Sequence, residues 1–511
     1  MRQAKCFFIR SGRWSSFLLL AAAMCTAARA QQPTDADEKA LAESVRDLRE
    51  QVQQLQAAVA EIKSEASQYR AQSDELRKEL ETLRSAAPTQ PTPAPPEAQS
   101  SAAPTTEQRL ASLEETTQVL QSENRTLYQS KVESASKYRA RISGLVLLNI
   151  FGNRGSVDNA DVPTYSAASS AYGATSSFGA TLRQSEIGLE IFGPQLAGAK
   201  TSGSIQFDFG GGFPSGSLDG INTGVVRMRT AEMRLDWDRT SLIVGQDNLF
   251  ISPLNPTSFA SLITPSFGYA GNLWAWTPQI RVERRFDIGG NQNVLLQAGL
   301  LDNVTGEPSS GTHRQPQAGE SSGIPAYAFR IGWNSTRDDR PIGFGISSYY
   351  SRQNWGNDWN VDGWATAADW RIPFSANLEL SGEFYRGRGI GGLGGGIGQS
   401  ILFNSNPLTP GFRSVNSAGG WSQLKVIASA RLEFNGVFGM DNPFAADVHA
   451  FAAPIGYYPS VLTANRSEMA NFVFRPRSDL LFSGEYRHLR TNQIGGLNSA
   501  DQVNMVMGVL F

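Results

Sequence analysis

Cysteine is almost absent: Cys6 and Cys25 are the only two in 511 residues. Both precede Ala30. Arg2, Lys5, Arg10 and Arg13 form a basic start, Phe17 to Met24 is apolar, and Ala28-Arg29-Ala30 is a small-x-small cleavage pattern. Residues 1–30 therefore read as a secretory signal. Cleavage after Ala30 leaves no thiol, which excludes disulfides, thiolate catalysis and cysteine metal sites together. A lipid anchor on Cys25 is disfavoured by bulky Met24 before it. Long apolar runs are also missing: Phe17 to Met24 is far short of the roughly 20 residues a spanning helix needs, and nothing later is longer. A membrane location thus requires a closed barrel, because unpaired backbone groups are not tolerated in lipid.

Charge of one sign is lacking as well. The formal net charge is −2, so no global field favours nucleic acid. From Arg139 onward lysine occurs only at Lys200 and Lys425, and basic residues are otherwise arginine. His313, His449 and His488 are scattered without metal-ligand spacing. The run Gly391-Gly392-Leu393-Gly394-Gly395-Gly396 lacks the lysine and following helix of a phosphate loop. No nucleophile motif stands out, so neither an enzyme nor a cofactor is expected. A lipid-directed barrel hydrolase ranks last among the readings.

Residues 31–87 carry an apolar seam at spacings of four and three: Leu41, Val45, Leu48, Val52, Leu55, Val59, Ile62, Ala66, Tyr69, Ser73, Leu76, Leu80 and Leu83. That is a coiled-coil pattern and predicts self-association. Residues 88–105 form a Pro/Ala/Thr/Ser linker. A second helical stretch, 106–137, places Asn124 on its seam, where a buried amide fixes register.

From about Tyr138 the period changes from seven to two. Sixteen strands are predicted: 139–151, 182–192, 198–209, 225–238, 240–248, 276–286, 292–302, 325–335, 341–351, 361–371, 376–386, 420–428, 430–438, 465–475, 479–490 and 501–511. Each opposes an apolar face to a polar one. In 276–286, Ile280 and Val282 oppose Arg281 and Glu283. Short links alternate with long ones, which predicts an all-β transmembrane barrel of sixteen antiparallel strands, spanning 138–511, with tight periplasmic turns and long outer loops. Parity puts the coiled coil in the periplasm. The last strand, with Val503, Met505, Met507, Val509 and Phe511 on one face, resembles the closing strand of bacterial outer-membrane barrels, whose final Phe addresses the barrel-assembly machinery.

Short motifs carry a closer resemblance: Arg139-Ala140-Arg141-Ile142-Ser143-Gly144, Arg183-Gln184-Ser185-Glu186-Ile187-Gly188, Arg227-Met228-Arg229-Thr230-Ala231-Glu232, and Asn465-Arg466-Ser467-Glu468-Met469-Ala470-Asn471 before Gly484-Glu485-Tyr486-Arg487. Together these resemble the DcaP-like trimeric porins. The resemblance implies a homotrimer in outer-membrane lipid and lipopolysaccharide, passive diffusion of small hydrophilic solutes, and a weak preference for anions. The wall here departs from the family by its mixed charge.

On a barrel reading the polar face lines the pore. Parity then offers Lys200, Arg234, Arg281, Glu283, Arg285, Arg330, Arg371, Glu379, Glu383, Lys425, Arg431, Glu485 and Arg487. The competing expectation is that these side chains mostly brace one another across strands. Arg227 and Arg229 share parity with apolar Met233 and Leu235 but lie near the outer mouth, where a bulge could turn them inward. The uncharged link 249–275, with Phe259, Phe267 and Tyr269, is the predicted constriction loop. The alternative from another class is an envelope tether, whose barrel only anchors a coiled coil bound to peptidoglycan.

Overall fold

The computed structural model describes residues 139–169, 174–212, 224–307, 314–337, 340–404, 411–450 and 461–511. The expected signal, coiled coil, linker and second helical stretch lie outside the described residues.

Period-two alternation produces β1 (Arg139–Arg154), β2 (Ser176–Thr181), β3 (Glu186–Leu196), β4 (Ala199–Asp208), β5 (Arg227–Asp236), β6 (Thr240–Asn248), β7 (Trp276–Gly289), β8 (Gln292–Leu301) and β9 (Ala326–Arg337). There follow β10 (Arg340–Asn354), β11 (Asn360–Ser375), β12 (Leu378–Arg388), β13 (Ile401–Asn404), β14 (Gly411–Ser414) and β15 (Asn416–Ser429). The chain ends with β16 (Leu432–Pro443), β17 (Leu462–Arg477), β18 (Leu480–Gln493) and β19 (Gly496–Leu510). Sequential antiparallel pairing closes when β19 meets β1, from Leu145↔Leu510 to Arg154↔Asp501.

The sheet has 17 strands but sixteen wall positions. The lower half of β1 pairs with β3 and its upper half with β2, so β2 and β3 share one position. The strand predicted at 182–192 is therefore corrected: it is broken at Leu182–Ser185. Arg183, Gln184 and Ser185, three polar residues in a row, interrupt the alternation and are buried inside. β13 and β14 form a separate hairpin within a long link, and a short helix, α1 (Ala445–Ala450), follows β16.

Alternation decides the faces. On β19, Met505 is 67% exposed while its neighbour Val506 is 4% exposed. The same contrast recurs on other strands, with Ile280, Val282, Ile331, Ile346 and Phe438 outside and polar or small residues inside. Among the described residues the apolar sides do not stack against a second sheet. Inward alanines Ala326, Ala328, Ala365 and Ala367 leave room for Leu249, Phe250, Ile251 and Leu273 of an entering loop.

Tight hairpins occupy one end. Ala197 and Gly198 both have positive φ, 49° and 78°, the hand of two-residue turn that matches strand twist. The expected strict alternation of link lengths is corrected at the other end. There β10–β11 and β18–β19 are also joined by short links, and the outer strands simply extend upward as hairpins.

Gly144 N donates to Phe511 O at 2.9 Å, and Phe511 N donates to Gly144 O at 3.1 Å. Removing Phe511 deletes both bonds, worth about 2 kcal/mol at roughly 1 kcal/mol each. The folded fraction, read as heat-modifiable gel mobility, is expected to fall. An unchanged fraction would mean the seam is held without this residue.

Candidate functional site

Residues 249–275, between β6 and β7, run inside the barrel. They carry no charge of their own, so backbone groups taken from water need partners from the wall. Ser347 Oγ on β10 donates to Ile251 O at 2.7 Å. Glu383 on β12 accepts from Ser252 Oγ and from Leu254 N, the latter at 2.8 Å. Gln423 on β15 accepts from Thr257 N at 2.7 Å and donates to its Oγ1 at 3.1 Å. Asn471 on β17 donates to Thr257 O at 2.7 Å.

The anchoring continues past the seam. Glu485 on β18 accepts from Ser258 Oγ at 2.6 Å. Arg487 donates to Ser261 Oγ and to Glu485, both at 2.8 Å. Gln184, in the gap between β2 and β3, donates to Ala260 O at 2.9 Å and accepts from Leu262 N at 2.7 Å. Arg227 on β5 donates to Ile263 O at 2.5 Å. Phe259 packs beside Leu145, Leu147 and Val506 of β1 and β19. Phe267 is buried against Trp421, Val437 and Met469. These two aromatics pack the loop against the wall.

The wall from β6 to β11 carries a continuous, largely buried polar chain, and the Phe250 ring of the loop lies 5.4 Å from the Arg281 guanidinium. Arg281 on β7 meets Asp247 on β6 at 3.0 Å and Glu283 at 2.8 Å. Gln297 on β8 donates to Glu283 at 2.7 Å. Arg330 on β9 donates to Gln297 at 3.3 Å, then spans β10 to Asp369 on β11, with bonds of 2.7 and 3.1 Å. Gly345 makes that span possible. A Cβ there would collide with both the Arg330 guanidinium and the Asp369 carboxylate. Forked arginine–carboxylate pairing is the strong form of such contacts.

Arg229 sits where the β4–β5 register slips, between Gln206↔Thr230 and Phe207↔Met228. The bulge expected from its parity is present, and it carries Arg229 to Glu186 and to within 3.7 Å of Asp208. Arg227 pairs with Asp208 at 2.6 Å.

The other candidates lie toward the tight-turn end. Arg234 pairs with Asp236 at 3.2 Å, Arg371 with Glu379 at 3.7 Å, and Lys425 with Glu433 at 3.8 Å. Lys200, Arg285, Arg371 and Arg431 are exposed there. Partly exposed pairs of this kind contribute little, about 0–1 kcal/mol.

Sequence reasoning missed Arg183 and Asp161. They form a buried fork of two 2.5 Å bonds that ties the first long link to the strand break. The same link docks inward, Arg487 donating to Pro163 O at 3.3 Å and Thr491 Oγ1 accepting from Ser166 N at 2.8 Å. Within it, burial raises the Asp158 carboxyl above its ordinary range, outweighing bonds from Thr164 and Tyr165. Burial also raises the Tyr269 phenol, with Asp158 adding to it.

A closed antiparallel barrel of sixteen wall positions with residues 249–275 folded inside it is the architecture of outer-membrane porins. Among solved structures, the outer membrane channel DcaP of Acinetobacter baumannii is similar over 75% of this chain and 100% of its own, at 15% identity and TM-score 0.55. An anion-selective porin from Comamonas acidovorans matches at 12% identity over 73% of this chain and 100% of its own, with TM-score 0.45. OprB of Pseudomonas putida matches at 12% identity over 73% and 94%, with TM-score 0.42. No family model and no curated protein sequence matches the chain.

Proposed function

We propose that the protein is an outer-membrane porin, a passive diffusion channel for small hydrophilic solutes. The observation that carries this is the interior: a charge-free loop is folded inside the barrel beside an inward polar chain that runs from Asp247 to Asp369. Selectivity follows from opening width and wall charge. The proposed preference for anions is weak, because Arg281 and Arg330 are each neutralised by carboxylates. Lys200 and Arg285 are exposed at the tight-turn mouth. Residues 31–137 are proposed as a periplasmic oligomerisation segment of a homotrimer, with Phe511 presented to the barrel-assembly machinery.

Purified full-length protein in planar bilayers is expected to give stepwise conductance in groups of three. Deleting 35–130 is expected to leave conductance per barrel unchanged, as a channel requires and a tether does not. Baseline current at all voltages would overturn the proposal.

A further inference from the structure

The outer face of β17, β18, β19 and β1 changes character in ordered rows. Ala470, Tyr486 and Val503 stand opposite one another in the last apolar row. Two residues further toward the long-link end come Glu468, His488, Asp501 and Arg154, and beyond them Arg466, Arg490 and Ser499. The outward apolar run from Phe511 to Val503 covers about 27 Å along the strand at 3.4 Å per residue. Once tilted, that fills most of a barrel's apolar band of about 25 Å. The row of Arg466 and Arg490 therefore stands just above hydrocarbon, at the long-loop side.

Arg466 and Arg490 are direct cross-strand partners and both are exposed. Like charges placed directly opposite destabilise a sheet. Neither has an ion pair or hydrogen-bond partner among the described residues. The nearby carboxylates do not relieve them. Asp501 accepts from Tyr486 Oη and meets His488 Nδ1, both at 2.7 Å, and Glu468 bonds to neither arginine. In the link beyond, 444–461, the single carboxylate is Asp447, which Arg413 and Asn416 occupy. On the far wall the outward Arg352 differs, having Asp362 at 3.5 Å. A doubly cationic fork without a protein counterion, above an apolar surface, suits an anion that carries acyl chains. Guanidinium forks bind phosphate oxygens in pairs.

We propose that Arg466 and Arg490 clamp the phosphate of a phosphorylated outer-leaflet lipid, whose acyl chains lie along Tyr486, Phe472, Val503 and Met505. This rests on the outer-membrane reading above. The test uses full-length protein in detergent, with diphosphoryl lipid A as the probe, and binding read by native mass spectrometry. Wild type is expected to retain the probe, and the Arg466→Gln/Arg490→Gln double variant to bind at least about ten-fold more weakly. Arg352→Gln is expected to bind as wild type does. Equal binding by the double variant, equal binding of enzymatically dephosphorylated lipid A, or displacement by equimolar inorganic phosphate would each overturn the clamp. So would a double variant that changes the number of chains per particle while its lipid affinity stays the same. Bilayer conductance of both proteins is measured alongside. Unchanged conductance with lost lipid binding supports the clamp, whereas absent conductance in wild type condemns the channel reading instead.

Discussion

Excision of residues 253–272, with a short Gly-Ser bridge between Ser252 and Leu273, is expected to raise single-channel conductance several-fold. The segment occupies lumen that the wall alone would leave open, since sixteen strands enclose more space than side chains fill. Its anchors lie on β10, β12, β15, β17, β18 and β5, so it covers a broad sector of the inner surface. The barrel ladder does not use these residues, so β-sheet content by circular dichroism should persist. A milder form is Glu383→Ala, which removes the acceptor for Ser252 Oγ and Leu254 N. It is expected to give noisy openings above the wild-type level. Conductance that does not rise after excision would place the narrowest section elsewhere.

The second large effect concerns Arg330 and Asp369, both less than a tenth exposed. Breaking such a pair by removing one partner costs about 3–5 kcal/mol where the remaining charge stays dry; a water-filled lumen lowers that cost. The electrical consequence has a definite sign. Asp369→Asn leaves the guanidinium uncompensated, so the reversal potential in a salt gradient should move toward anion selectivity. Arg330→Gln leaves the carboxylate, so it should move toward cation selectivity. The double variant should return close to wild type, since the net wall charge is restored. Shifts of the same sign in both single variants, or none in either, would remove this pair from the ion path.

The sixteen wall positions were legible because one face of every strand is apolar and the other polar, and slipping by one residue inverts all of them. The bulge at Arg229 was legible for the same reason: an arginine on the apolar parity demands a correction. Three adjacent polar residues, Arg183 to Ser185, also violate period two, yet the strand expected at 182–192 ran through them and the break emerged only in the structure. What stayed hidden depends on distant geometry. Nothing local to Glu383, Glu485 or Arg487 says that a loop more than 100 residues earlier will take their hydrogen bonds. Nor does the sequence around Phe259 and Phe267 say that these rings turn to the wall. The Gly345 gap that lets Arg330 reach Asp369 appears only once three strands lie side by side.

Phe259 and Ala260 rest against Leu145, Leu147 and Val506, on the two edges that meet last in chain order. The plug is thus part of the zipper. A nascent cylinder whose final edge is still apart lacks the part of the surface on which Phe259 and Ala260 settle, so sealing the edge and seating this segment are coupled. Sequence changes in the plug would then act on biogenesis as well as on flow, and slow assembly could be mistaken for a blocked passage.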